Sequence, residues 1–330
     1  NTETGKVRKV IVGVLDNMNG SLDGVGFDYR SAMIIKEKDD GDISVILPGA
    51  KLAMQDGGVL LLGSLRLTVK SQEVGDKPSY FFDVALPPRF RAVDTAGKII
   101  QTISFRQNRF EMVWASEFDA FVKADISLSD ITNQGKGDLF DLSMGRFDFS
   151  IDLKEDDSGR WSGDAFSVLV TDIAVHMGEK VKVASLKSLA VNAPFKGFDM
   201  QVYNRYIKRM TVDPVEVFAE LQTKPGAKAF VDSMGSEQMV GVLLSGLQVQ
   251  DKEGNPVFSL GSLGFDSRVR LADGANSSWL VALNIKDVVD GKKGSLADFF
   301  PNKAKLETTV GNIPMVEFWQ VMAASFSEAF

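Results

Sequence analysis

The stretch Phe118-Asp119-Ala120-Phe121-Val122-Lys123-Ala124-Asp125-Ile126-Ser127-Leu128 alternates with a period of two. Phe118, Ala120, Val122, Ala124, Ile126 and Leu128 form one apolar set, with Asp119, Phe121, Lys123, Asp125 and Ser127 between them. Successive strand side chains point to opposite faces, so the pattern predicts a strand with one greasy and one mostly polar face. Phe140–Lys154 repeats it, through Phe140, Leu142 and Met144, then Phe147, Phe149, Ile151 and Leu153. The phase slips by one at Gly145-Arg146. An uncorrected slip turns the apolar set outward, so a bulge or tight turn is expected there. Both runs exceed the usual strand of about 5–6 residues, which predicts an extended sheet.

Turn chemistry punctuates the apolar runs. Lys38-Asp39-Asp40-Gly41-Asp42, Gln55-Asp56-Gly57-Gly58, Glu155-Asp156-Asp157-Ser158-Gly159 and Asp251-Lys252-Glu253-Gly254-Asn255 supply the positive-φ glycines that hairpins need. None has the spacing of an EF-hand loop, so these acidic clusters read as solvated hairpin tips. Leu62-Gly63-Ser64-Leu65, Val183-Ala184-Ser185-Leu186 and Leu260-Gly261-Ser262-Leu263 each close a strand–turn–strand unit, which predicts an internal structural repeat. Helices are the minority. Asp213 can cap a helix with Pro214 at its first position and Glu216 completing a capping box. Phe230, Val231 and Met234 suggest a second short helix beyond Lys224-Pro225-Gly226. After Pro314, the residues Met315, Phe318, Trp319, Met322 and Phe326 follow helical spacing.

The expected fold is therefore mostly β, of α+β type. It has long antiparallel curved sheet built from repeated strand–turn–strand units, a helical insert near 213–235 and a C-terminal amphipathic helix. The chain divides as an N-terminal β-sheet region, 1–205, and a region 206–330 holding the insert, further strands and the terminal helix, unless the two form one continuous elongated domain.

Composition narrows the function classes. The 330 residues carry 37 basic and 44 acidic side chains, a net charge of −7, which argues against a nucleic-acid partner. With no cysteine, disulfides and thiolate metal sites are excluded. No run of 18 apolar residues is present, and the start Asn1-Thr2-Glu3-Thr4 has no signal-peptide character. The ends read as trimmed, with any signal or anchor lying outside the chain.

Catalytic signatures are sparse. His176 is the only histidine, and Asp172, on the same face of an extended strand, lies about 13 Å away. Triads and most zinc sites need histidine with partners, so His176 reads as structural or exposed. The glycines form neither GxGxxG nor a P-loop, and Ser64, Ser185 and Ser262 sit in no GxSxG elbow. A paired-carboxylate hydrolase is compatible with the composition, but nothing singles out a pair. The compositional lead is 23 Phe against 4 Tyr and 4 Trp. Phe is apolar area without a polar handle, and it builds either an ordinary core or a groove for acyl chains.

Leu244-Ser245-Gly246-Leu247-Gln248-Val249, a polar turn, Val257–Leu260 and Gly261-Ser262-Leu263 resemble the strand pairs of bacterial envelope proteins of the AsmA-like and YdgA-like kind. Phe300-Pro301-Asn302-Lys303-Ala304-Lys305-Leu306-Glu307, with Gly311-Asn312-Ile313-Pro314, resembles the closing segment of such chains. The resemblance implies a periplasmic protein, usually behind a membrane anchor, with long curved sheets whose apolar face serves phospholipid traffic or outer-membrane homeostasis. It carries over no catalytic residue. The expected activity is non-enzymatic binding or transfer of a lipid or other amphipathic molecule. Phe147, Phe149, Ile151 and Leu153 would line the groove, with Phe318, Trp319 and Met322 as a lid. The alternatives are an assembly protein docking another envelope or membrane protein through residues 313–330, and a hydrolase using acidic residues. No metal, cofactor or nucleic acid enters this reading.

Overall fold

The computed structural model describes residues 2–21, 26–28, 33–39, 41–54, 57–74, 77–118, 120–135, 140–177, 181–271, 277–290 and 302–327. Helix α1 (Glu3–Ser21) precedes β1 (Gly26–Asp28), β2 (Ile34–Glu37), β3 (Ile43–Ala53), β4 (Val59–Val74), β5 (Lys77–Ala85), β6 (Arg89–Val93) and β7 (Ile99–Ala115). Strands β8 (Ala120–Gly135), β9 (Asp141–Glu155), β10 (Trp161–Met177) and β11 (Val181–Phe198) follow. Helices α2 (Met200–Val212), α3 (Pro214–Gln222) and α4 (Lys224–Ser233) intervene before β12 (Glu237–Gln250), β13 (Pro256–Arg270), β14 (Ser277–Asp290) and β15 (Lys303–Ile313). Helix α5 (Met315–Ser327) comes last.

All fifteen strands join one curved antiparallel sheet, as the alternation requires. From β7 to β15 the spatial order is the chain order, and β11 pairs directly with β12 across the helical insert. Sequential order follows from tight hairpins. In Asp94–Lys98, Asp156–Arg160 and Asp251–Asn255 the first residue's N–H donates to the fifth carbonyl, and the fourth residue is a glycine with φ between 78° and 85°. Lys38–Asp42 makes the same bonds around Gly41. This is a type I turn closed by a glycine bulge. In the three Asp-led turns the Asp carboxylate also accepts two backbone N–H groups of its own turn, so the acidic tips are turn chemistry. Asp40 and Gln55-Asp56 lie outside the described residues.

The expected slip at Gly145-Arg146 is neither a turn nor an insertion. Strand β9 runs through it, with register constant on both sides. The irregularity sits in the neighbouring strands. Asp130, Asp172 and Asp287 have φ of 53°, 53° and 56°, and Gly246 has 66°. Flanking pairs place Asp130, Gly145, Asp172, Lys187, Gly246, Gly261 and Asp287 side by side from β8 to β14. Every second strand thus carries one left-handed residue in the same row, a conformation that Gly and Asp tolerate best. The Arg106 guanidinium reaches both Ser129 Oγ (3.1 Å) and Asp130 Oδ2 (3.2 Å), so two consecutive side chains lie on one side. The apolar set then resumes on its own face after three residues instead of two. We call this row the crease.

The crease also sets the repeat. Ser259-Leu260-Gly261-Ser262-Leu263 in β13 stands in line with Ser185-Leu186-Lys187-Ser188-Leu189 in β11 and Ser143-Met144-Gly145-Arg146-Phe147 in β9. The alignment expected from Val183–Leu186 is three residues short of this, and Leu62–Leu65 lies in β4, off the crease. The repeat is a property of cross-strand register, which a tripeptide match cannot locate.

Two helical regions depart from expectation. Helix α1 packs Val7 and Ile11 onto Val45, Leu47, Val69, Tyr80 and Phe82. The insert opens at Met200, ahead of the expected 213. Asp199 caps α2 by accepting from Val202 N–H, while Asp213 and Pro214 start α3 as expected. The strand-dominated N-terminal region masked the helical spacing Val7, Val10, Ile11, Leu15, and five charged or amide side chains on α2 diluted its apolar stripe.

Candidate ligand-binding face

Antiparallel register turns the alternation into rows crossing the sheet. One row runs Phe110, Ile126, Phe149, Val168, Val191, Val242, Phe265, Leu283, Leu306 from β7 to β15. The next runs Leu128, Phe147, Val170, Leu189, Leu244, Leu263, Ile285, Ala304 from β8 to β15. Beyond the crease, pairs such as Leu247–Leu260 and Leu260–Val288 continue the apolar pattern. On the opposite face, beside the crease, runs a wholly polar row: Arg106, Ser129, Arg146, Thr171, Ser188, Ser245, Ser262, Lys286, Lys303. With strands about 4.8 Å apart, nine of them carry an apolar band about 38 Å long.

Cover over this band is uneven. On β3–β5, α1 lies across the apolar residues and buries them, and that cluster extends to Phe110, Met112 and Phe121. From β8 to β15 the row residues join none of the buried hydrophobic clusters, and every described strand belongs to the one sheet. The band's side chains there are mostly half-buried by one another, and exposure rises toward the last strands: Phe265 is 37% exposed and Leu306 64%. A sheet face of this size ordinarily packs on another layer.

The structure separates the expected site residues. Phe147 and Phe149 stand in the two long rows, half-buried. Ile151 pairs Ala124 opposite an irregularity in β10 between Asp164 and Ser167. Leu153 is half-buried, packed against the cluster of Phe118, Trp161 and Met200. Phe318, Trp319 and Met322 do not cover β9. Helix α5 docks on α3 and α4, and Trp319 meets Phe230 edge-on with ring centroids 4.9 Å apart. Phe318 stacks its edge on Trp319 at 5.8 Å and remains 44% exposed, and Met322 is half-buried. The lid expectation is corrected: the amphipathic stripe of α5 is used on the helical cluster. The row members on β10 to β15, which complete the band, were missed. Their signal is the three-residue step between apolar positions, as in Leu186/Leu189, Leu244/Leu247 and Leu260/Leu263.

Several polar groups elsewhere have structural partners. Glu220 accepts from Tyr206 Oη at 2.9 Å and pairs with Arg209 at 2.6 Å. Partial burial opposes the Glu220 charge, and the bonds from Arg209 and Tyr206 outweigh it, holding the carboxyl below its ordinary value. Burial and the same carboxylate push the Tyr206 phenol up to about 12. Lys77 sits 2.5 Å from Glu155, 3.6 Å from Glu117 and 4.6 Å from the Phe118 ring centroid, tying β5 to the end of β9. His176 stands opposite Asp141, not Asp172, and Asp141 Oδ1 accepts from Gly135 N–H. A cleft of about 730 Å³ between α4, the start of α5 and the β13–β14 end is lined by Arg160, Lys228 and Asp232 among others. Arg160 there donates to the Gly197 and Asp232 carbonyls. A hollow of about 380 Å³ beside β4, β5 and β7–β9 is lined by Val74, Phe81, Met112, Val122 and Leu153, with Arg109, Lys123 and Asp125 at its rim.

Neither a protein-family model, nor a curated protein, nor a solved structure matches the chain.

Proposed function

We propose that this chain binds or transfers a lipid or similar amphipathic molecule on the apolar band of β8–β15, without catalysing a reaction. The supporting observation is the unbroken apolar row from Ile126 to Leu306, whose members join none of the buried hydrophobic clusters among the described residues. Burying acyl chain there stabilises a complex by about 0.8 kcal/mol per methylene. The resemblance to AsmA-like and YdgA-like envelope proteins sets the proposed place of action in the periplasm, behind an anchor outside this chain.

The test is lipid extraction and mass spectrometry of the purified protein, then uptake of a fluorescent fatty acid by the stripped protein. Uptake should fall when Val191→Asp places a carboxylate in mid-row, while Lys252→Ala at a hairpin tip leaves it unchanged. A stripped, folded protein that takes up no lipid, dye or detergent refutes the reading. Helix α5 supports a second reading, an assembly contact, because Phe318, Val321 and Phe326 are 44%, 65% and 44% exposed. That reading expects capture of an envelope protein to depend on 313–330 while lipid uptake is absent.

A further inference from the structure

Strand β15 is the last in the sheet and pairs only with β14, so its outer backbone edge has no partner among the described residues. Its eleven residues are nearly all exposed, including Leu306 at 64% and Val310 at 50%. A long, flat, open edge is a template for another strand. Among the described residues the opposite end of the sheet offers no edge of matching length, because β1 and β2 span three and four residues there. Head-to-tail extension is thereby disfavoured, and the remaining closed solution is a two-fold pairing of β15 with itself.

Charge selects the register. In an antiparallel two-fold pair that keeps the apolar faces together, residues of the same parity stand opposite one another. Placing Glu307 on the axis sets two carboxylates face to face, and placing Lys305 there sets two ammonium groups face to face. An axis at Ala304 puts Lys303 against Lys305. An axis at Thr308 puts Lys305 against Gly311 and Glu307 against Thr309, with no charge pairing. An axis at Leu306 sets Lys305 of each copy opposite Glu307 of the other, twice, with Ala304 against Thr308 and Leu306 against itself. Lys305 and Glu307 already meet within one strand at 2.7 Å, on the polar face, so both termini are held where a partner strand needs them.

We propose that two copies of this chain join edge to edge through β15, antiparallel about Leu306, in the register fixed by Lys305 and Glu307. The Phe110–Leu306 row then continues through Leu306 of the second copy into that copy's own row, doubling the band. This proposal does not rest on the ligand reading.

Sedimentation velocity over a concentration series tests it on the whole chain. The unmodified protein dimerises. Lys305→Glu and Glu307→Lys each raise the dissociation constant at least about tenfold, because each turns two attractive contacts repulsive. The double variant Lys305→Glu/Glu307→Lys recovers the dimer. The chain has no cysteine, so Leu306→Cys gives a clean second readout. Under mild oxidation it forms a disulfide-linked dimer, and Glu253→Cys, on a distant hairpin tip, does not. A monomer at every soluble concentration overturns the proposal. So do single charge variants that dimerise like the unmodified chain, a charge swap that fails to recover, or Leu306→Cys that does not cross-link.

Discussion

Gly261→Ala probes the crease most directly. A Cβ at this position would lie 2.7 Å from Asp287 Cβ, 2.9 Å from Asp287 Oδ2 and 3.2 Å from the Lys286 carbonyl oxygen. Carbon contacts are comfortable at about 3.5–4.0 Å, and the hydrogen-bonded ladder holds the two strands together. Overpacking of this kind costs about 1–3 kcal/mol. Loss of glycine freedom in the unfolded chain returns about 0.4–1 kcal/mol. The net expectation is a loss of about 1–2 kcal/mol. Asp287→Gly alone should be near neutral, since relief of about 1–2 kcal/mol of left-handed strain is offset by about 0.5–1 kcal/mol of backbone entropy. The double variant removes both Asp287 contacts and leaves only the one to Lys286, so it should recover about 1 kcal/mol of the Gly261→Ala loss. Urea unfolding followed by far-ultraviolet circular dichroism measures all three, at constant m-value. If Gly261→Ala costs less than about 0.5 kcal/mol, or the two changes simply add, the crowding argument fails.

Two further outcomes are expected. Ile11→Ala should cost about 2–4 kcal/mol, because Ile11 is only 3% exposed where α1 seats on β3–β5; thermal unfolding measures the loss, and an unchanged midpoint would show that α1 does not seal that end. The Glu220 carboxyl is depressed in the folded chain, so the unfolded state binds more protons between the two pKa values. Its contribution is therefore present above the unfolded value of about 4.3 and fades as pH falls through the folded one. The stability gap between the unmodified chain and Glu220→Gln, from urea midpoints, should shrink steadily below that pH, and a gap that widens on acidification contradicts the assignment.

The crease shows a local rule. At the three crowded junctions, a Cβ on Gly145 would meet Asp172, one on Gly246 would meet Lys187, and one on Gly261 would meet Asp287, each within 3.0 Å. Each junction holds one glycine, and the partner keeps its side chain. Asp130, Asp172 and Gly246 are thus equivalent in backbone shape but not in tolerance. An aspartate at 246 has the right φ and meets Lys187 Cβ at 2.8 Å.

The sequence by itself determined the class of this protein. Period-two alternation in 118–128 and 140–154, with Asp- and Gly-bearing turns, leaves few options beyond long antiparallel hairpins, because both signals act within a few residues. It also located α3 through the Asp213-Pro214 cap and α5 through its apolar spacing. Tertiary structure decided what depends on distant partners. The slip at Gly145-Arg146 becomes a crease only when register aligns it with Asp130 and Asp172. Phe149 belongs to a nine-strand row only because Ile126 and Val168 stand on either side. Leu153 and Trp319 look like groove and lid residues in isolation, yet each is taken up by a cluster drawn from segments far along the chain. Side-chain alternation is a local consequence of backbone geometry, whereas which greasy face is covered is settled by where the remaining elements pack.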